Sequence, residues 1–154
     1  MNLHYSRKLV GSEPRNRFNA KARRRRGAKM ENELSYRIIG AAIEVHRTLG
    51  GPGLLESIYE AALCHELTLS GLNVQQQVPV QVVYKGIKIK DPLFVDILVE
   101  DRVIIEVKAV EKIHPIYETQ VLTYLRLTRK KLGLLVNFGS SQIKDSVSRI
   151  VNGL

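Results

Sequence analysis

The twenty residues from Asp91 to Val110, DPLFVDILVEDRVIIEVKAV, constrain the fold more than any other part of the chain. Two arms of apolar, mostly β-branched side chains flank the polar triplet Glu100-Asp101-Arg102, the pattern of two strands joined by a tight turn. Both arms are near-continuous hydrophobic runs, as in strands covered on both faces. Three charges interrupt them: Asp96 in the first arm, Glu106 and Lys108 in the second. Side chains alternate between faces along a strand, so Glu106 and Lys108 share one face. With residues 100–102 as the loop, Val99 pairs with Val103, and counting back sets Asp96 opposite Glu106. Cβ atoms on such a rung lie ~5 Å apart, a spacing at which like charges repel. Inside a covered sheet, three arrangements relieve that repulsion: a shared proton, neutralisation by Lys108, or a divalent cation such as Mg²⁺ or Mn²⁺ bound by carboxylate and carbonyl oxygens. The bland alternative is a surface hairpin whose charges face water.

Composition sets the boundaries. At 154 residues the chain is long enough for one domain with a real core. No apolar run approaches the ~20 residues of a membrane span, and the N-terminal stretch lacks the apolar segment of a secretory signal. The single cysteine, Cys64, has no internal disulfide partner, and the four histidines are scattered rather than set at zinc-site spacing. These features fit a reducing cytoplasm. The net charge of +9 is unevenly spread, because residues 1–30 hold ten Lys and Arg against Glu13 alone, while residues 31–154 hold fourteen basic and fourteen acidic residues. Residues 1–30 therefore read as a basic disordered tail, and residues 31–154 as a neutral folded domain. The run Arg23-Arg24-Arg25-Arg26 suits nucleic acid phosphates. The same tail also reads as a solubilising arm, or as a segment ahead of a true start at Met30.

Along the domain, Leu34, Ile38, Ala41, Ala42, Val45 and Leu49 recur at helical steps over residues 32–49, and Gly50-Gly51-Pro52-Gly53 ends that helix. His46, near its end, reads as a favourable charge at the negative end of the helix dipole. A second helix spans about Leu54 to Ser70 and carries Gly53, Glu56 and Tyr59 at three-residue steps. Taken alone, Glu56 is a favourable acid in a first turn and Tyr59 a core aromatic. Residues 74–84 alternate as a strand, with Pro79 arguing for a sheet edge or a bulge. Lys85, Lys88 and Lys90 follow on an exposed return strand. After the Asp91–Val110 hairpin, a helix runs from about Pro115 to Arg129 and sets Gln120 and Tyr124 on one face. Its end is basic, with Arg126, Arg129, Lys130 and Lys131. A short buried strand (132–138) and a last helix (about 141–152, capped by Ser140 or Ser141) complete the order α-α-β-β-β-β-α-β-α. A strand, a helix and a further strand imply a right-handed crossover and a parallel pair, hence a mixed α/β sheet flanked by helices.

Asp96 followed after nine residues by Glu106-Val107-Lys108 resembles the core motif of the PD-(D/E)XK nuclease superfamily. Gly53-Leu54-Leu55-Glu56-Ser57-Ile58-Tyr59 resembles the Gly-x-x-Glu-x-x-Tyr pattern of a small bacterial family of that superfamily. Gln120-Val121-Leu122-Thr123-Tyr124 resembles the Gln-x-x-x-Tyr motif of RecB-like nucleases. The resemblance covers residues 31–154 and not the tail. It implies the restriction-endonuclease-like αβββαβ core and metal-dependent hydrolysis of nucleic acid phosphodiesters, with DNA the expected substrate. It also implies a Mg²⁺ or Mn²⁺ site made by Asp96, Glu106, the Val107 carbonyl and Glu56. By the same resemblance, Lys108 and Gln120 join these as catalytic residues, with Lys108 orienting or deprotonating water and Gln120 holding Lys108 or a metal water. Tyr59 and Tyr124 are the implied substrate contacts. The competing expectations are a non-catalytic nucleic-acid-binding domain and an adaptor that keeps the fold.

Overall fold

The structure, a computed structural model, describes residues 15–153 of the chain. Two helices, α1 (Arg15–Thr48) and α2 (Glu56–Leu69), precede strand β1 (Val74–Val80). A small hairpin of β2 (Val83–Tyr84) and β3 (Ile87–Lys88) follows, then β4 (Leu93–Val99) and β5 (Val103–Lys108). Helix α3 (Pro115–Thr128), β6 (Leu132–Asn137), a 3-10 turn (Ile143–Asp145) and β7 (Val147–Val151) complete the fold. Five strands form one sheet in the order β1-β4-β5-β6-β7, with β2 and β3 paired separately. The β5–β6 pair is parallel and the other neighbours are antiparallel, so the sheet is mixed as expected. The elements α2, β1, β4, β5, α3 and β6 supply the αβββαβ order of a restriction-endonuclease-like fold.

The sheet is covered on both sides. Ile97, Val99, Val103, Ile105 and Val107 pack with Leu34, Ile38, Val45, Leu63 and Leu67 of α1 and α2. Leu98, Ile104 and Leu135 pack with Val121, Tyr124 and Leu125 of α3. This sandwich explains the continuous apolar runs of β4, β5 and β6: both faces are removed from water. Pro79 lies in β1, the edge strand, where its missing N–H costs no ladder bond on the open side.

Three expectations are corrected. The final segment is not a helix over 141–152. Residues 147–151 form a strand antiparallel to β6, because Val-Ser-Arg-Ile-Val alternates well enough to take the hydrogen bonds that β6 offers along its free edge. The first helix does not begin at residue 32 but reaches back to Arg15, so residues 15–30 of the expected tail are helical and the boundary placed at residue 30 falls inside α1. Arg, Lys and Ala are strong helix formers, and a helix nucleated by its packed half propagates into them without apolar periodicity. The first fourteen residues of that tail lie outside the described residues. The expected strand over 74–84 is also split, into β1 and β2.

Candidate active site

The turn after β4 fixes the site. Glu100 and Asp101 both have positive φ, 53° each, and the Arg102 N–H reaches the Val99 carbonyl at 2.9 Å. This tight primed-type turn pairs Val99 with Val103, Leu98 with Ile104 and Ile97 with Ile105. Asp96 is then one step past the last pair, across from Glu106. The ladder opens there, and the Val107 N–H donates to Asp96 Oδ2 at 2.8 Å. Glu106 is 4% exposed. Its Oε1 accepts from Lys108 Nζ at 3.1 Å, while its buried Oε2 has no hydrogen-bond partner. Lys108 Nζ lies 3.8 Å from Glu56 Oε1, at the start of α2, and 4.9 Å from the centre of the Tyr117 ring on α3. Helices from both layers thus meet at Lys108.

These carboxylates are held uneasily. Burial, reinforced by the Asp96 charge, pushes the Glu106 carboxyl up to about 7. Burial also raises Asp96; the Val107 N–H opposes this and the Glu60 charge adds to it. Burial would lower Lys108, but its hydrogen bond to Glu106 and the surrounding carboxylates outweigh that, so its pKa is raised.

Glu60, Gln77 and Tyr117 belong to this constellation and were not singled out from the sequence. Glu60 is one turn beyond Glu56 on α2, and its Oε1 accepts from the side-chain amides of Gln76 at 2.9 Å and Gln77 at 2.8 Å. The Gln77 amide also reaches Asp96 Oδ1 at 3.4 Å, so one side chain lies between two carboxylates. Gln77 is left-handed, with φ 51°, on the rung facing Asp96. The alternation of faces slips at that rung in both strands. Val74 packs in the α1–α2 layer but Val78 and Val80 in the α3 layer, and Val95 packs in the α3 layer while Ile97 and Val99 pack in the other. The slip is what re-aims Asp96. The i+4 spacing of Glu56 and Glu60 was the only signal available in the sequence.

Other expected site residues have different surroundings. Tyr59 is wholly buried, stacked on Phe138 with ring centres 4.7 Å apart. Its hydroxyl donates to the Gly51 carbonyl at 2.7 Å and accepts from the Leu54 N–H at 3.2 Å, so both partners of the hydroxyl lie within the fold. Tyr124 is 5% exposed in the α3 layer, and its hydroxyl accepts from Gln120 Nε2 at 2.9 Å. The Gln120 amide thus bonds to Tyr124, and the Tyr124 ring packs in the α3 layer. The His46 ring lies 2.8 Å from the Ser140 carbonyl, tying α1 to the loop after β6. Burial pushes the Cys64 thiol up to about 11, so it stays protonated and inert. Lys85, Lys88 and Lys90 lie on or beside the separate β2–β3 hairpin.

The end of β5 is clamped from β6. The Phe138 N–H donates to the Lys108 carbonyl at 2.7 Å. The Asn137 side chain accepts from the Val110 N–H at 3.0 Å and donates to the Val110 carbonyl at 2.9 Å. Gly139 is packed so closely against Val110 that a Cβ would lie 2.5 Å from its nitrogen.

Among the described residues no group of three or more His, Cys, Asp and Glu is gathered as a ready metal cage. The donors nevertheless suit a hard divalent cation: all are oxygens, one is a buried carboxylate oxygen with no partner, and a second carboxylate faces it. The ammonium of Lys108 sits between Glu106 and Glu56 and supplies positive charge there. Two cavities lie away from these residues, about 280 Å³ beside Leu34 and Arg37 and about 340 Å³ beside Arg102 and Lys131. No helix among the described residues is long and apolar enough to cross a membrane.

Comparison with curated proteins gave no match, and comparison with solved structures gave none. One protein-family model matches residues 32–150, and its description is the PD-(D/E)XK nuclease superfamily.

Proposed function

Since the chain belongs to the PD-(D/E)XK nuclease superfamily, which points to a nuclease-type function and to nucleic acid as partner, we propose that it is a metal-dependent nuclease hydrolysing phosphodiester bonds of DNA. Nucleases of this superfamily typically depend on a divalent metal. Within the superfamily we place the chain in the Gly-x-x-Glu-x-x-Tyr family on Gly53, Glu56 and Tyr59, with a RecB-like Gln120…Tyr124 pair, and we place its action in the cytoplasm. One observation carries the reading: a buried Glu106 with a partnerless oxygen, across from Asp96 and bonded to Lys108.

Asp96, Glu106 and the Val107 carbonyl would hold Mg²⁺ or Mn²⁺, with Glu56 drawn in from the start of α2. When bound, the cation polarises the phosphoryl oxygen and lowers the pKa of water. The chain does the rest. The Val107 N–H fixes one oxygen of Asp96, leaving the other toward the site. The Gln77 amide restrains that oxygen from β1. Lys108, held at Glu106 and against the Tyr117 ring, orients the attacking water and offsets the charge that builds on phosphorus. Tyr59, Gln120 and Tyr124 keep α2 and α3 seated around these groups.

The test is cleavage of plasmid and linear DNA with Mg²⁺ or Mn²⁺, beside Asp96→Ala, Lys108→Ala and a chelator control. Cleavage that needs the ion and disappears in both variants is expected. Cleavage that survives both substitutions refutes the site. DNA binding that persists in chelator, with no cleavage under any condition, replaces the nuclease by a binding module.

A further inference from the structure

Helix α1 has two halves of different character. From Glu31 onward it is fastened to the fold: Glu31 is buried and pairs with Arg102 at 3.3 Å, Asn32 accepts from Arg149 of β7, and Leu34, Ile38, Ala42 and Val45 enter the core. Toward its N-terminus it leaves the fold, and residues 19–26 are exposed on every side. Sixteen residues, 15–30, rise about 24 Å as a helix. They carry eight basic residues and no acidic one. Arg23, Arg24, Arg25 and Arg26 are consecutive, and steps of ~100° send them around the whole circumference. Like charges recur one turn apart at Lys21–Arg25 and Arg25–Lys29, each pair unfavourable in isolation. The acid nearest in the next turn, Glu33, makes only an exposed 3.9 Å pair with Lys29.

An exposed helical stretch with these like charges and no compensating acids is relieved of its self-repulsion by an anionic partner. The arrangement selects among partners. A helix lying on a membrane needs an apolar stripe, and here Phe18 and Met30 are the only large apolar residues. Charge on all sides fits a partner that presents phosphates on two flanks at once. The major groove of B-form DNA is ~12 Å wide, matches a helix of ~10–12 Å diameter and is walled by both backbones. Double-stranded RNA is excluded by its deep, narrow groove. Residues 31–154 sum to no net charge, so the whole excess of +9 lies before them.

We propose that residues 15–30 of α1 dock in the major groove of duplex DNA through phosphate contacts, and that this helix supplies the affinity the neutral domain lacks. The proposal rests on the nuclease reading and names its substrate as double-stranded. Because α1 is continuous into the core, DNA held there has a fixed position relative to the domain.

The experiment measures fluorescence anisotropy of the full chain in chelator with a labelled duplex DNA of arbitrary sequence, the matching duplex RNA, and anionic vesicles. It compares wild type with the quadruple variant Arg23→Gln, Arg24→Gln, Arg25→Gln, Arg26→Gln; glutamine keeps helix propensity, and circular dichroism confirms the fold. Four lost phosphate contacts should make the slope of log affinity on log salt shallower by about 3.6 and weaken duplex DNA binding at least ~10-fold. An unchanged slope and affinity overturn the proposal, as does equal affinity for duplex RNA or for vesicles. Cleavage of DNA by both proteins with unchanged affinity removes the helix and leaves the nuclease standing. Binding lost in the variant, with no cleavage by either, removes the nuclease and leaves the helix.

Discussion

Replacing Glu106 by glutamine should make the protein more stable above neutral pH while removing its proposed chemistry. The Glu106 carboxyl is raised from 4.5 to about 7 by burial and by Asp96. Between those values the folded protein keeps a proton that the unfolded chain has released. Stability therefore falls as pH rises through this window and is lowest once Glu106 is ionised in both states. A shift of this size corresponds to about 3 kcal/mol. Glutamine keeps the shape and has no proton to lose. It gives up the 3.1 Å ion pair with Lys108, which keeps Glu56 and Tyr117 as neighbours. The expected gain is about 1–3 kcal/mol near pH 8 and close to nothing near pH 5. The chain has no tryptophan, so urea unfolding followed by far-ultraviolet circular dichroism, in chelator at both pH values, is the assay. Parallel pH dependences for the two proteins, or a variant less stable near pH 8, would refute the reasoning.

Three further outcomes follow from contacts around the site. Tyr59→Phe should cost about 1–2 kcal/mol by chemical denaturation, through loss of the bond to Gly51, and leave KM for DNA unchanged; a raised KM at full stability would restore Tyr59 as a substrate contact. Asn137→Ala should cost about 2–4 kcal/mol, since it strips partners from Val110 and Gly139 beside the end of β5; a melting temperature equal to wild type would show that the clamp is unimportant. Gln77→Gly relieves a left-handed backbone worth about 1 kcal/mol and removes the amide between Glu60 and Asp96. Stability should stay within about 1 kcal/mol while Mn²⁺ affinity by calorimetry drops several-fold; undiminished affinity would mean the amide does not hold Asp96 in place.

The hairpin at the centre of the fold was legible because its information is local. Two apolar runs and a three-residue polar break fix the loop, the loop fixes the register, and the register sets Asp96 across from Glu106. Pro79 announced an edge strand for an equally local reason, a missing donor. The last segment was misread because Ile143, Val147 and Ile150 also fit helical spacing, and only the free edge of β6 decides for a strand. The early start of α1 was missed because charge and alanine carry propensity without periodicity. Glu60 and Gln77 come together through the packing of α2 against β1, and Gln77 owes its conformation to a slip that no two-residue pattern reveals. Tyr59 and Tyr124 had the right spacing for their motifs, but burial, which spacing does not encode, turns both hydroxyls inward.

Lys108 has a consequence for how the protein comes to exist. Its ammonium is a counter-charge tethered to the chain, carried on the same strand as the buried Glu106 and brought to 3.8 Å from Glu56 of α2. A pocket of acids that relied on a dissolved ion would stay open until one arrived. Here the neutralising charge arrives with the sheet, at the effective concentration of a tethered group, so the acidic end of the sheet closes without waiting for a dissolved ion.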